Sequence, residues 1–449
     1  MVTMGVSAVS EQVILQLGDL HFTGFKDATT NVDNHDRSTP GRLDSTLGLP
    51  IPTAIRRALV EQINKSPGAM IAICGDITTQ GNREDFIGGV DFLADTLADP
   101  LLAVRPHEDH VHLVPGNHDV SFKGDQPFTS FEDISRFDVL ADICRTAGLG
   151  ILATSLRHTT ITLPRGDAGL SVLSVNTSRG AGATRRDLPG GSDDALLDAL
   201  VAEIGGSVDI HGILKKHAPE SSAAEVLDVP LLHPEELHQI AGHWSALSTR
   251  YMPVLLAHHG LLPQHTPRLN PYTEMANAGQ ARKELTKLNR SVLYLHGHIH
   301  EHVVEVVDFP RAADVMPMHS RAIIVAAPEL KVGFNKVSVV FDAKGSPLGV
   351  RVEKFRINPG EQTVSREPDL IEVSLARRPS LTANQRKVLE FAVARGSVMG
   401  IELAEHAAGL TPPLDRPGVE SLVETLCWSG LLRRNSPPST PFEDTGYLL

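Results

Sequence analysis

The residues best suited to chemistry are aspartate, histidine and asparagine, and they recur in short stretches: "GDLH" at 18–21, "GD" at 75–76, "GNHD" at 116–119, "AHHG" at 257–260 and "GHIH" at 297–300. Carboxylate oxygen, amide oxygen and imidazole nitrogen are all good ligands for first-row divalent metals, and none of these stretches needs a thiolate. Asp19 and His21 stand two apart, as do His298 and His300, so each pair can turn to one side of an exiting strand and grip the same ion. Read alone, any one of them is a turn, since Asn and Asp after Pro-Gly are good turn formers and a lone Asp-x-His can cap a helix. All five in this order argue for one site. Gly18, Gly75, Gly116 and Gly297 are expected to permit the tight turns that bring the side chains inward.

Each stretch follows a short apolar run: "VILQL" before Asp19, "MIAIC" before Asp76, "VHLV" before Asn117, "MPVLL" before His258 and "SVLYL" before His298. Runs of this length, rich in Val, Ile and Leu, fit strands buried on both faces. Helical patterns lie between them at 52–65, 83–98, 128–148, 233–247 and 277–289. Alternation of strand and helix predicts sheet layers covered by helices. The ligand-type residues then gather at the C-terminal strand ends, the usual site edge of such a sheet. From Ser320 the texture changes to "RAIIVAAPEL", "FNKVSVVFD", "GVRVEKFRI" and "LIEVSLARR", which read as antiparallel strands completing a second sheet. Residues 24–50, carrying His35 and Asp36, and residues 180–230 are longer than ordinary connections, and suit substrate selection or partner contact.

Composition narrows the class. The chain has 449 residues and a formal net charge of -13, which gives no global attraction to nucleic acid or anionic membrane. Cys74, Cys144 and Cys427 lie far apart, so neither a disulfide scaffold nor a thiolate zinc site is expected, and the setting predicted is reducing cytoplasm. No run of 18 apolar residues suggests a membrane span.

The ordered set Asp-x-His, Gly-Asp, Gly-Asn-His-Asp, His, Gly-His-x-His resembles the calcineurin-like metallophosphoesterases over about residues 12–345. The resemblance implies an α/β fold, a four-layer α/β/β/α sandwich with two metal ions at the strand ends. It implies that Asp19, His21 and His300 hold the first ion, that Asn117, His258 and His298 hold the second, and that Asp76 bridges both. No ligand position of the pattern is lost. The family commonly has His-His-Pro where this chain has His258-His259-Gly260, which leaves His259 as a group behind the ligand or facing substrate. His265 is a further candidate for the cleft. The implied activity is hydrolysis of a phosphate ester by attack of a metal-bridging hydroxide, with His118 assisting the leaving group. Asp119 is the remaining catalytic candidate: it either holds the other ring nitrogen of His118 or braces the turn. The ions expected are divalent or mixed-valence Mn, Fe or Zn.

The metal core does not name a substrate. A small phosphodiester or nucleotide is the leading expectation for a domain spanning residues 1–375. Residues 376–435 carry three helical patterns and are expected to form a small helical, winged-helix-like domain, followed by a flexible Pro- and Ser-rich tail at 436–449. Such a domain raises the alternative of a DNA or RNA nuclease, but its third helix, "GVESLVETLCWSG", is acidic where phosphate contact asks for a basic face. A protein partner or a homodimer is the better expectation for it. A non-catalytic metal-bound scaffold is the third reading.

Overall fold

The computed structural model describes residues 10–22, 51–79, 81–120, 128–150, 152–164, 166–184, 226–262, 275–288, 290–308, 320–342, 344–358, 363–375, 381–437 and 440–448. His35, Asp36, His265 and most of 180–230 lie outside them.

The first half alternates strand and helix as its apolar periods predict: β1 (Ser10–Leu17), α1 (Ile51–Lys65), β2 (Met70–Ile73), α2 (Arg83–Leu97), β3 (Val111–Leu113) and α3 (Asp138–Thr146). A pair of strands follows, β4 (Arg157–Thr162) and β5 (Gly169–Ser174), then a two-stranded sheet of β6 (Gly180–Thr184) and β7 (Val226–Val229). Next come α4 (Pro234–Ser245), β8 (Tyr251–Leu256), α5 (Ala278–Lys287), β9 (Val292–His296), β10 (Val304–Asp308), β11 (Arg321–Ala326), β12 (Gly333–Phe341), β13 (Pro347–Asn358) and β14 (Thr363–Ser374).

Two six-stranded mixed sheets result, ordered β14-β13-β12-β1-β2-β3 and β10-β11-β9-β8-β5-β4. Alternate side chains explain why the strand runs are apolar throughout. Ile14 of β1 enters the layer between the sheets with Met70, Val172, Val254 and Leu293, whereas Leu15 and Leu17 face the helices with Ile55, Leu59 and Leu140. The outer face of the second sheet is covered by α4 and α5 through Trp244, Ile240 and Leu285. The layers are therefore α/β/β/α.

Two expectations need correcting here. Of the strands after Ser320, only the first completes the second sheet, and it does so in parallel pairing with β9. β11 joins the second sheet parallel to β9, and β12, β13 and β14 extend the first, with β12 antiparallel to β1. Alternation along a strand sets which side chains face inward and carries no information about its neighbour. The helix expected over 128–148 is confined to α3, because Asp133 accepts from Ser135 N at 3.0 Å, Ser135 Oγ at 2.6 Å and Thr129 Oγ1 at 2.5 Å. These local bonds offer the backbone an alternative to the helix.

The C-terminal segment forms α6 (Ala383–Arg395), β15 (Ser397–Met399), α7 (Gly400–Ala408), α8 (Arg416–Trp428), β16 (Arg433–Arg434) and β17 (Gly446–Leu448). β17 pairs with both β15 and β16, so the end of the chain is not the loose tail its composition suggests. Tyr447 is buried with Leu403, Val423 and Leu426, which anchors that strand. The third helix, α8, packs on the first sheet: Trp428 is buried with Val340 and Leu348, and a Cβ at Gly349 would stand 2.3 Å from the indole. Arg351 pairs with Glu11 at 2.5 Å and Glu372 at 2.9 Å, its guanidinium 5.8 Å from the Trp428 ring centre. No described helix is long and apolar enough to cross a membrane.

Candidate active site

Five strands end at one edge. β1 leads to Asp19 and His21, β2 to Asp76, β3 to Asn117, β8 to His258 and His259, and β9 to His298 and His300. Their loops are stitched together by backbone bonds from Asp19 N to Gly75 O (3.2 Å), His21 N to Asp76 O (2.9 Å) and Gly297 N to His258 O (3.0 Å). Beneath them the buried Gln16 amide donates to His296 O at 3.0 Å and Val325 O at 2.9 Å, and its oxygen accepts from Asn335 Nδ2 at 3.0 Å. This amide pair fixes the two sheets against each other directly below the site.

Among the described residues, the non-glycine residues in the left-handed backbone region are Asp19 (φ 48°), His21 (46°), Asp76 (49°), His298 (68°) and His300 (58°). All five are ligand-type residues singled out from sequence. Such conformations cost about 1–3 kcal/mol each and persist where surrounding structure holds them. The glycines act differently from expectation. Gly75 (φ 91°) is a turn glycine, but Gly116 and Gly297 serve close approach: a Cβ would meet Asp76 Oδ1 at 2.0 Å and Asp19 Oδ2 at 2.8 Å respectively.

The side chains converge in two overlapping groups. Asp19, His21 and His300 form one, with His21 Nε2 and His300 Nε2 3.2 Å apart and His300 Nε2 3.5 Å from Asp19 Oδ1. Asp76 and His258 form the heart of the other: His258 Nε2 stands 3.3 Å from Asp76 Oδ2 and 2.8 Å from Asn117 Oδ1. His258 Nδ1 donates to Cys74 O at 2.6 Å, so Nε2 faces two oxygen acceptors. A ring nitrogen, an amide oxygen and a carboxylate oxygen pointing together suit a shared positive charge, a proton on Nε2 or a metal ion in its place. The titration behaviour agrees. Burial works against the imidazolium of His258, but Asp76 and Asp19 outweigh it and push the pKa up to about 10. Burial would raise Asp76, yet His258, His118 and His21 hold it well below the usual carboxylate range. Burial, offset only in part by Asp76, holds His21 well below its ordinary value, which leaves it neutral and able to ligate. The buried carboxylates Asp19 and Asp76 have histidines as their ion-pair partners. A donor set of this kind fits two divalent ions.

His118 is buried beside this centre, its ring 5.2 Å from that of His21, and its Nδ1 donates to Thr79 O at 2.9 Å. Asp119 does not take that role. Its Oδ1 accepts from Thr78 N and its Oδ2 from Gly116 N, both at 2.9 Å, so it braces the turn. Burial and the neighbouring Asp76 push its pKa up to about 6. His259 is fully buried, not facing an open cleft: its Nδ1 lies 2.9 Å from Thr177 Oγ1, and it groups with His258 and His298 at metal-binding separation. Thr79, Thr177, Gln16 and Asn335 carry no motif, and sequence reasoning passes over them. The polar interruption of an apolar run at Gln16 is the one signal that could have found any of them.

The family model of the calcineurin-like phosphoesterases matches residues 13–302, more than half of the sequence and all five motifs. The chain belongs to this family. Family and clusters together make it a metal-dependent phosphoesterase. No curated protein matches the phosphoesterase. Similar solved structures include the phosphopantetheinyl hydrolase of Mycobacterium tuberculosis, at 16% identity over 73% of this chain and 92% of that one, with a TM-score of 0.33. The 5'-nucleotidase precursor of Thermus thermophilus shares 14% identity over 78% of this chain and 55% of that one, with a TM-score of 0.37. PhoD shares 9% over 81% and 68%, with a TM-score of 0.40. The phosphoesterase thus spans little more than half of that nucleotidase.

Proposed function

We propose that the chain hydrolyses a small phosphodiester or nucleotide at a two-metal centre, with Asp19, His21 and His300 on one ion, Asn117, His258 and His298 on the other, and Asp76 between them. The observation that carries this reading is the convergence of His258 Nε2, Asn117 Oδ1 and Asp76 Oδ2 in a buried pocket. Bound divalent ions there would lower the pKa of a water and stabilise charge on the attacking and departing oxygens. The chain's own groups do the rest. Asn117 ligates without adding charge, which keeps the centre attractive to a phosphate. The Thr79 carbonyl holds His118 Nδ1–H, which leaves Nε2 to carry a proton to the leaving oxygen. Asp119 keeps the turn closed so that His118 holds its place. His259 is a further ligand candidate on the His298 side.

The nuclease alternative loses its main support, because α8, the helix that would have to read nucleic acid, is the one that packs on the first sheet. A reducing, cytoplasmic setting belongs to the proposal and rests on three free thiols. Turnover of bis-p-nitrophenyl phosphate with Mn²⁺, Fe²⁺ or Zn²⁺ tests the site. Asp76→Asn and Asn117→Ala should each lower it more than about 100-fold, beyond the losses typical of groups that only support a ligand. Full metal-dependent activity in either variant would refute the assignment. A screen over monoesters, cyclic nucleotides, dinucleotides and defined nucleic acids then selects the substrate class.

A further inference from the structure

His300 reaches the centre through Nε2, which faces Asp19 Oδ1 and His21 Nε2. Its other ring nitrogen lies on the Glu329 side, with Nδ1 and Oε2 4.0 Å apart, an ion-pair separation longer than a hydrogen bond. Glu329 is no surface acid. It is buried in the loop after β11, where its backbone bridges to Gly18 and the following amide of Leu330 donates to Asp19 O at 3.2 Å. That backbone roots the carboxylate on the loop that carries Asp19. Lys331 Nζ stands 2.7 Å from Glu329 Oε1, so one oxygen is tied to a cation while the other faces the imidazole. None of the five motifs includes Glu329.

A histidine that ligates through one nitrogen needs the proton on the other, and an acceptor behind the ring fixes both tautomer and orientation. We propose that Glu329, held by Lys331, is a positioning residue for His300: it keeps Nδ1 protonated and Nε2 turned to Asp19 and His21. The inference rests on the metal-centre reading above. It adds a residue that touches neither metal nor substrate, and it predicts that the two metal positions respond unequally to one substitution.

The test is Mn²⁺ binding to the metal-free full-length chain by calorimetry, with metal content per chain measured after dialysis. Glu329→Ala should weaken one Mn²⁺ position about 10- to 100-fold, the range for groups that orient a ligand, and leave the other within error. Glu329→Gln, which keeps an acceptor oxygen without the charge, should recover part of the loss. Lys331→Ala should weaken the same position by less than Glu329→Ala does. Thermal melting of the metal-free variants separates a folding defect from a binding one, and Glu329→Gln supplies the comparison if Glu329→Ala fails to fold. Wild-type affinity at both positions in the variants, or equal loss at both, overturns the proposal. Wild-type protein that binds fewer than two Mn²⁺ overturns the metal-centre reading, and this inference with it.

Discussion

His258 Nε2 lies 3.3 Å from Asp76 Oδ2 inside the protein, with its Nδ1 committed to the Cys74 carbonyl. In the metal-free chain this geometry is satisfied by a proton, which is why the His258 pKa is pushed up to about 10. A metal must displace that proton. Apparent Mn²⁺ affinity at this position should therefore rise about tenfold per pH unit below about 10 and release close to one proton per ion at pH 8. Calorimetry in buffers of different ionisation enthalpy measures the release, and binding with none would mean that His258 is not a ligand. Without metal, a raised imidazole pKa stabilises the fold. That contribution is complete below the ordinary 6.5 and fades as pH climbs through about 10.

The contact between His118 Nδ1 and Thr79 O commits that nitrogen, so under the proposed mechanism proton delivery falls to Nε2. His118→Gln should lower kcat about 10²- to 10⁴-fold on esters with alkoxide leaving groups. Nitrophenolate departs without a proton, so its esters should lose far less, and metal content should stay at the wild-type value. Equal losses on both ester types would make His118 an electrostatic aid and not an acid.

Gly349 and Trp428 touch so closely that no side chain fits between them. Gly349→Ala should push α8 off the sheet, and Trp428→Ala should destabilise the interface by about 3–5 kcal/mol. Limited proteolysis of α6, α7 and α8 should then speed up, while Mn²⁺ binding is unchanged. Resistance equal to wild type would show that other contacts hold the domain.

The metal centre is largely legible in the sequence because its residues are of distinctive type, follow recognisable apolar runs and keep a fixed order. Asp19, His21, Asp76, Asn117, His258, His298 and His300 all reach one strand edge. Sequence reasoning places His259 behind the ligand or facing substrate; the ring is buried at metal-binding separation from His258 and His298, and nothing in "AHHG" tells which rings a β8 exit turns inward. Thr79, Thr177 and Glu329 are invisible for a different reason: Thr79 contacts the site through its backbone and the other two from neighbouring strand ends, at sequence separations of 29 to 82 residues. Sheet membership of β12, β13 and β14 fails on similar grounds, because the pairing of Ile14 with Val337 is a long-range choice that local periodicity does not encode.

The five left-handed backbones carry a consequence for evolution in the laboratory. At Asp19, His21, Asp76, His298 and His300 the side chain suited to the metal is poorly suited to its own φ angle, and glycine would relax every one. Selection for thermal stability alone should therefore drift toward glycine or asparagine at His21, His298 and His300 and erase the centre, while Asp19 and Asp76 are held by the backbone amides of His298 and His118 that they accept from. Retention of all five residues in such an experiment would require that activity be selected alongside heat resistance.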